Sequence, residues 1–219
     1  MFRKISNFER LKGGLKIMKG KVLMTFLLAV FLVMTIGFAS ADTTTLYPTD
    51  DSYVNEAGGD NNYGLSHSLR VESDNSNTQR TFLKFDLSSI PTGSTINSAT
   101  LYLYQYKAAG DSIRAYEIRK ISNTWSESTI TWNNQPGYFG VTSTTNVNTN
   151  DGWKTWNVKS DVQSFVSGSP NNGWVIKDGT EVGITEDVSD QKNMIAWIPT
   201  LLSTTRQQTI HHQTQMLNT

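Results

Sequence analysis

Along RTFLKFDL (80–87) and SATLYLYQY (98–106), cationic and aromatic side chains recur at every second position. In an extended chain successive side chains point to opposite faces. Arg80, Phe82, Lys84 and Asp86 therefore share one face of the first run, and Thr100, Tyr102, Tyr104 and Tyr106 share one face of the second. A ring offers a flat apolar surface with a polar tip, and Lys or Arg offers charge-assisted donors to an oxygen-rich partner. This is equipment for recognition, and it makes Arg80, Lys84, Tyr102 and Tyr104 the first candidates. The bland alternative is a tyrosine stripe that stabilises cross-strand packing under covering loops.

Trp125 precedes a Ser-Glu pair and Tyr138 follows Pro136-Gly137, so both are candidates for a loop-lined rim. Trp132 and Trp174 lie in apolar runs and read as core. The loops 57–65, 74–79 and 147–152 crowd Asp, Asn and Gly, a composition that serves either turn formation or an oxygen-rich cation site. Asp51, Asp60 and Asn62 are the candidate Ca2+ ligands, although the fixed spacing of an EF-hand loop is absent and no cofactor is required. Catalysis finds little support. No carboxylate pair declares itself for glycoside chemistry, and His67 is the one histidine before the C-terminal tail, which leaves no His-based metal cluster or triad.

The elements that must position these residues read as strands. Leu83, Phe85 and Leu87 on one run, and Ala99, Leu101 and Leu103 on the other, form the predicted core, with the two runs expected to pair as a hairpin around Ile90. Short strands punctuated by Gly, Pro, Asn and Asp continue over 43–47, 52–55, 68–72, 112–119, 129–132, 153–158 and 173–177, which predicts an all-β sandwich. One helix is expected over 159–167. Val158, Val162, Phe165 and Val166 fall on one of its faces, and Gly168 with Pro170 ends it.

Residues 1–41 read as a signal peptide: Lys19 and Lys21, an uncharged apolar run, then Ala39-Ser40-Ala41, with Met18 as an alternative start and a retained anchor as the alternative role. The whole chain carries 19 basic and 19 acidic residues, whereas the portion from Asp42 carries 12 and 18, a net charge of −6. Such a domain lacks the basic field that nucleic-acid binding requires. Yet Arg80, Lys84, Lys107, Arg114, Arg119 and Lys120 all fall between positions 80 and 120, so a locally positive field is compatible with the net −6. Cysteine is absent, so no disulfide stabilises a chain that the leader directs to an oxidising side. Once the leader is cleaved, no stable membrane insertion is expected.

Asp51-Ser52-Tyr53-Val54, Asn62-Tyr63-Gly64, Leu69-Arg70-Val71, RTFLKFDLSSIP (80–91) and INSATLYL (96–103) resemble the DNRLRE, or disaggregatase-related, domain family. Trp125-Ser126-Glu127, Thr131 to Pro136 and Asn172-Gly173-Trp174 continue the resemblance in order, over about 46 to 187. It implies a jelly-roll-type β-sandwich of a secreted or cell-surface protein, and non-catalytic binding of an anionic, uronate-containing extracellular polysaccharide. A structural or adhesion module of the cell envelope is the alternative. The resemblance ends near Ser189. From Asp190 the tail DQKNMIAWIPTLLSTTRQQTIHHQTQMLNT departs from the pattern, consistent with a frameshift or a variant tail, so the sandwich domain is set at 42–189 and the closing C-terminal strand is expected to be missing.

Overall fold

The structure is a computed structural model that describes residues 40–73, 77–107 and 113–181 together with the backbone of 195–208. The expected leader lies almost wholly outside these residues. Among the described residues, ten strands and one short α-helix follow in order: β1 (Ser40–Leu46), β2 (Pro48–Asn55), β3 (Leu69–Val71), β4 (Gln79–Phe85), β5 (Thr95–Lys107), β6 (Arg114–Ile121), β7 (Tyr138–Val147), β8 (Gly152–Asn157), α1 (Lys159–Val166), β9 (Trp174–Asp178) and β10 (Ile195–Gln208), with a single 3-10 turn at Glu56–Gly58. They form two five-stranded antiparallel sheets. Sheet A has the order β1-β10-β5-β8 with β3 also paired to β10, and sheet B has the order β2-β4-β9-β6-β7.

The main core lies between the sheets. Leu83, Phe85 and Leu87 from one side meet Ala99, Leu101 and Leu103 from the other, with Tyr116, Ile118, Trp156 and Trp174 filling the centre. These are the inward residues that alternation predicted. Two buried indoles also find acceptors, as buried Trp usually does: Trp156 Nε1 donates to the Tyr116 carbonyl at 2.9 Å, and Trp174 Nε1 to Asp161 of α1 at 2.8 Å. Helix α1 lies where expected and packs Val162, Phe165 and Val166 onto one end of the core. At Gly173, φ is +77° and a Cβ would stand 2.0 Å from the Leu83 carbonyl oxygen, so only glycine lets β9 start against β4.

The strand pairing differs from expectation. Strands β4 and β5 do not form a hairpin, because β4 pairs with β2 and β9 whereas β5 pairs with β10 and β8. The segment between them crosses from one sheet to the other, burying Leu87 and Ile90 on its way. Both runs hide their aliphatic sides, but against each other across the two layers. Residues 129–132, expected as a strand, are turn and loop, and β7 went unpredicted.

The closing strand is present. Residues 195–208 form β10, which runs antiparallel to β5 from Ala196↔Lys107 to Gln207↔Thr95. Ladder hydrogen bonds are made by backbone, so a run as apolar as IAWIPTLL can occupy the slot without resembling the family's usual sequence. Its Pro199 sits beside a register shift, between Pro199 and Leu201, the kind of irregularity at which a strand tolerates proline.

Candidate functional site

The inward alternation forces the recognition candidates outward, but onto opposite faces of the sandwich. Arg80 and Lys84 lie on sheet B, and Tyr102 and Tyr104 on sheet A. The single cation-and-tyrosine face expected from the sequence is therefore two separate surfaces, a direct consequence of the sheet crossing between β4 and β5.

On sheet B the outer side is largely covered. Residues 122–137 lie over it and bring Ile130, with Trp125 and Trp132, against Val54, Phe82, Ile121 and Val175. Phe82 is fully buried. Trp125 packs edge-on to Phe82, ring centroids 5.7 Å apart, and donates Nε1–H to the Asn172 carbonyl at 2.8 Å. Arg80 and Tyr138 do come together, with the guanidinium 5.8 Å from the Tyr138 centroid and 4.5 Å from that of Trp132. The same guanidinium donates to both oxygens of Glu181, at 2.8 and 2.6 Å, and to Gln135 at 3.0 Å. Glu181 also meets Lys177 at 3.3 Å. Arg119, 5.6 Å from the Tyr138 centroid, donates through Nε and Nη2 to Glu117. Lys84 stands apart, 3.8 Å from Asp50.

Sheet A presents a different surface. Tyr104 and Trp153 are register partners on β5 and β8, with ring centroids 5.3 Å apart at 77°, and Tyr102 meets the same indole at 6.4 Å and 82°. Trp153 is 52% exposed and Tyr106 40% exposed. Edge-to-face contacts fix the indole's orientation while leaving it open to solvent. The sequence pattern places Trp153 in the strand expected over 153–158 but does not mark it as a binding candidate. The available signal was alternation, since Trp156 is buried and Trp153, three residues earlier, must face the other way.

The candidate cation ligands hold loops together. Asn62 donates Nδ2 to the carbonyls of Glu127 and Ile130, both at 2.7 Å, and Asp60 accepts from Asn133 at 2.7 Å. Asp51 lies on β2 near Glu127, whose carboxylate accepts the Asp51 backbone N–H at 3.1 Å. Burial first, then the Glu127 and Asp50 charges, push the Asp51 carboxyl up to about 6. Asp51 and Asn62 both meet Glu127 whereas Asp60 meets Asn133, and among the described residues no group of three or more acidic, His or Cys side chains forms a metal cage. No helix among the described residues is long and apolar enough to cross a membrane.

A gellan lyase from Bacillus sp is 30% identical over 103 residues, which is 46% of this chain but 4% of that enzyme's length. A model of the carbohydrate-binding modules matches far more of the sequence, covering residues 42–200, which includes every strand from β2 to β9 and the start of β10. The chain belongs to carbohydrate-binding module family 96.

Proposed function

We propose that this module binds an extracellular, anionic, uronate-containing polysaccharide without cleaving it, through the outer face of sheet A. The observation that carries the reading is the exposed indole of Trp153 braced by Tyr102 and Tyr104. A ring held edge-on by its neighbours keeps its orientation, so stacking a pyranose on it orders few side chains, and preorganisation of this kind raises affinity. The gellan lyase relative supports an acidic polymer as ligand, and the short share of that enzyme that matches supports a binding role rather than a catalytic one. Family membership supports a protein that works outside the cell, either released or associated with the envelope.

Affinity electrophoresis through native gels containing gellan, alginate or pectate tests the proposal. Retardation in at least one acidic gel is expected. Unretarded migration in all of them, by protein with native circular dichroism, rejects it.

A further inference from the structure

An acidic polymer is held best by a cation that the protein's own acceptors leave open. Most cations among the described residues are taken. Arg80, Arg114, Arg119 and Lys177 pair with carboxylates, Lys84 stands 3.8 Å from Asp50, and Lys154 donates to the Asn148 side chain and the Asn150 carbonyl. Half-buried Lys120 differs, with neither an ion pair nor a side-chain hydrogen bond among the described residues. Its neighbours are rings: Nζ lies 5.2 Å from the Phe139 centroid and 5.8 Å from that of Phe165.

Three elements build this corner. Lys120 comes from β6, where it is the register partner of Trp174 on β9, Phe139 comes from β7, the edge strand of sheet B, and Phe165 comes from α1. Hydrogen bonds hold the parts together: Thr142 of β7 donates to Asp161 of α1 at 2.6 Å, and Arg119 Nη1 donates to the Phe139 carbonyl at 3.3 Å. Phe165 is buried and packs edge-on to Trp174, ring centroids 5.4 Å apart, whereas Phe139 is 54% exposed and Val141 beside it 46%. The ammonium thus has a fixed wall on one side and an open ring on the other. A cation–π contact at an exposed site is weaker than a charge-assisted hydrogen bond to a carboxylate, so the rings bias the lysine stem without occupying its N–H donors.

We propose that Lys120 and Phe139 form a second saccharide site, at the rim of sheet B beside α1, in which the Lys120 ammonium takes a uronate carboxylate and the exposed part of the Phe139 ring takes the apolar C–H surface of the same sugar. The inference takes its ligand from the acidic-polymer reading above, and its place is separate from the Trp153 face. A single exposed ion pair is weak, so the site gains by acting on a polymer that another site of the same molecule already holds.

The test follows the side-chain Cε–Hε NMR signal of Lys120, assigned by its absence from Lys120→Met, while folded protein is titrated with sodium galacturonate, galactose and sodium acetate. A saturable shift is expected with galacturonate, a smaller one with acetate and none with galactose. In gels, Lys120→Met should bind pectate about fivefold more weakly than wild type and carboxyl-reduced pectate equally well. Lys120→Arg should keep the wild-type affinity, and so should Lys159→Met, which removes the same charge from an exposed position of α1. An unmoved Lys120 signal, an equal shift with acetate, or an equal loss in Lys159→Met overturns the assignment. A galacturonate shift in a protein that no acidic gel retards supports the Lys120 site and rejects the sheet A face, and retardation without the shift does the reverse.

Discussion

The two outer faces of this sandwich carry opposite solutions to the same surface. Sheet B gathers Arg80, Arg119, Lys177, Glu117 and Glu181 with Trp132 and Tyr138, a composition that suggests an acidic-glycan site. Yet its guanidinium groups are already bonded to its own carboxylates and loop 122–137 lies across it. On sheet A, Trp153 is open and is braced by Tyr102 and Tyr104 rather than by charges. A ligand binds most readily where the fold leaves groups open, because the carboxylates that already neutralise a guanidinium repel an incoming anion and compete with it. Density of charge and aromatic rings is thus a poorer guide than their residual valence.

The contrast breaks hardest at Phe82. If sheet B's outer face is a second small core, Phe82→Ala should cost about 3–5 kcal/mol of stability, as truncation of a fully buried Phe does. Urea denaturation would show it as a lowered midpoint, and a loss below 1 kcal/mol would mean that loop 122–137 does not pack as described. Trp153→Ala should do the reverse. Its stability change should stay within about 0.5 kcal/mol, since the ring is half exposed. Its retardation in acidic gels should fall at least tenfold in apparent affinity, about 1.4 kcal/mol. Retardation equal to wild type would move the binding site off sheet A.

These outcomes turn on features that the sequence discloses unevenly. Alternation at Leu83, Phe85, Leu101 and Leu103 is a local property, and it located the buried sides correctly. The partner of each strand is not local. The stretch from Asp86 to Ser94 has the Pro and Gly of a turn whether it closes a hairpin or crosses between sheets, and only the packing of Leu87 and Ile90 decides. Strand β7 escaped notice because YFGVTSTTNV alternates weakly and sits at an edge, largely exposed. Residues 129–132 carry strand-forming Thr, Ile and Trp but use Ile130 and Trp132 to cover another sheet. The status of Arg80 was invisible for a related reason. Whether a carboxylate meets an arginine is decided by residues distant in sequence, such as Glu181 for Arg80.

Arg80→Met sharpens the same contrast at smaller amplitude. The Arg80–Glu181 pair is only 16% exposed on either side, and the guanidinium also covers the Trp132 ring. Glu181 keeps Lys177 as a partner when Arg80 is removed, so the cost should be about 1–2 kcal/mol rather than that of a stranded charge. Affinity for acidic polysaccharide should remain within twofold of wild type. A tenfold loss with full stability would make sheet B the binding face.

The smallest expected effect concerns the rim where β2 meets the covering loop. Asp51 has an ordinary carboxyl value of 3.8 and is raised to about 6 in the folded protein, by burial and by the Glu127 and Asp50 charges. The folded state therefore binds this proton more tightly than the unfolded chain. Native stability falls as pH rises from about 4 to about 6, and the cost is fully present above that window. Asp51→Asn removes the charge, so it should stabilise the protein at pH 7.5 and have almost no effect at pH 4. Because Asp51 remains partly exposed, solvent screening reduces the gain to about 1 kcal/mol or less. Thermal unfolding of both proteins at the two pH values, with EDTA and with added Ca2+, measures it. A destabilised Asp51→Asn at pH 7.5 that appears only with Ca2+ would show that the carboxylate serves a cation after all, and that the covered side of the sandwich holds a ligand of its own.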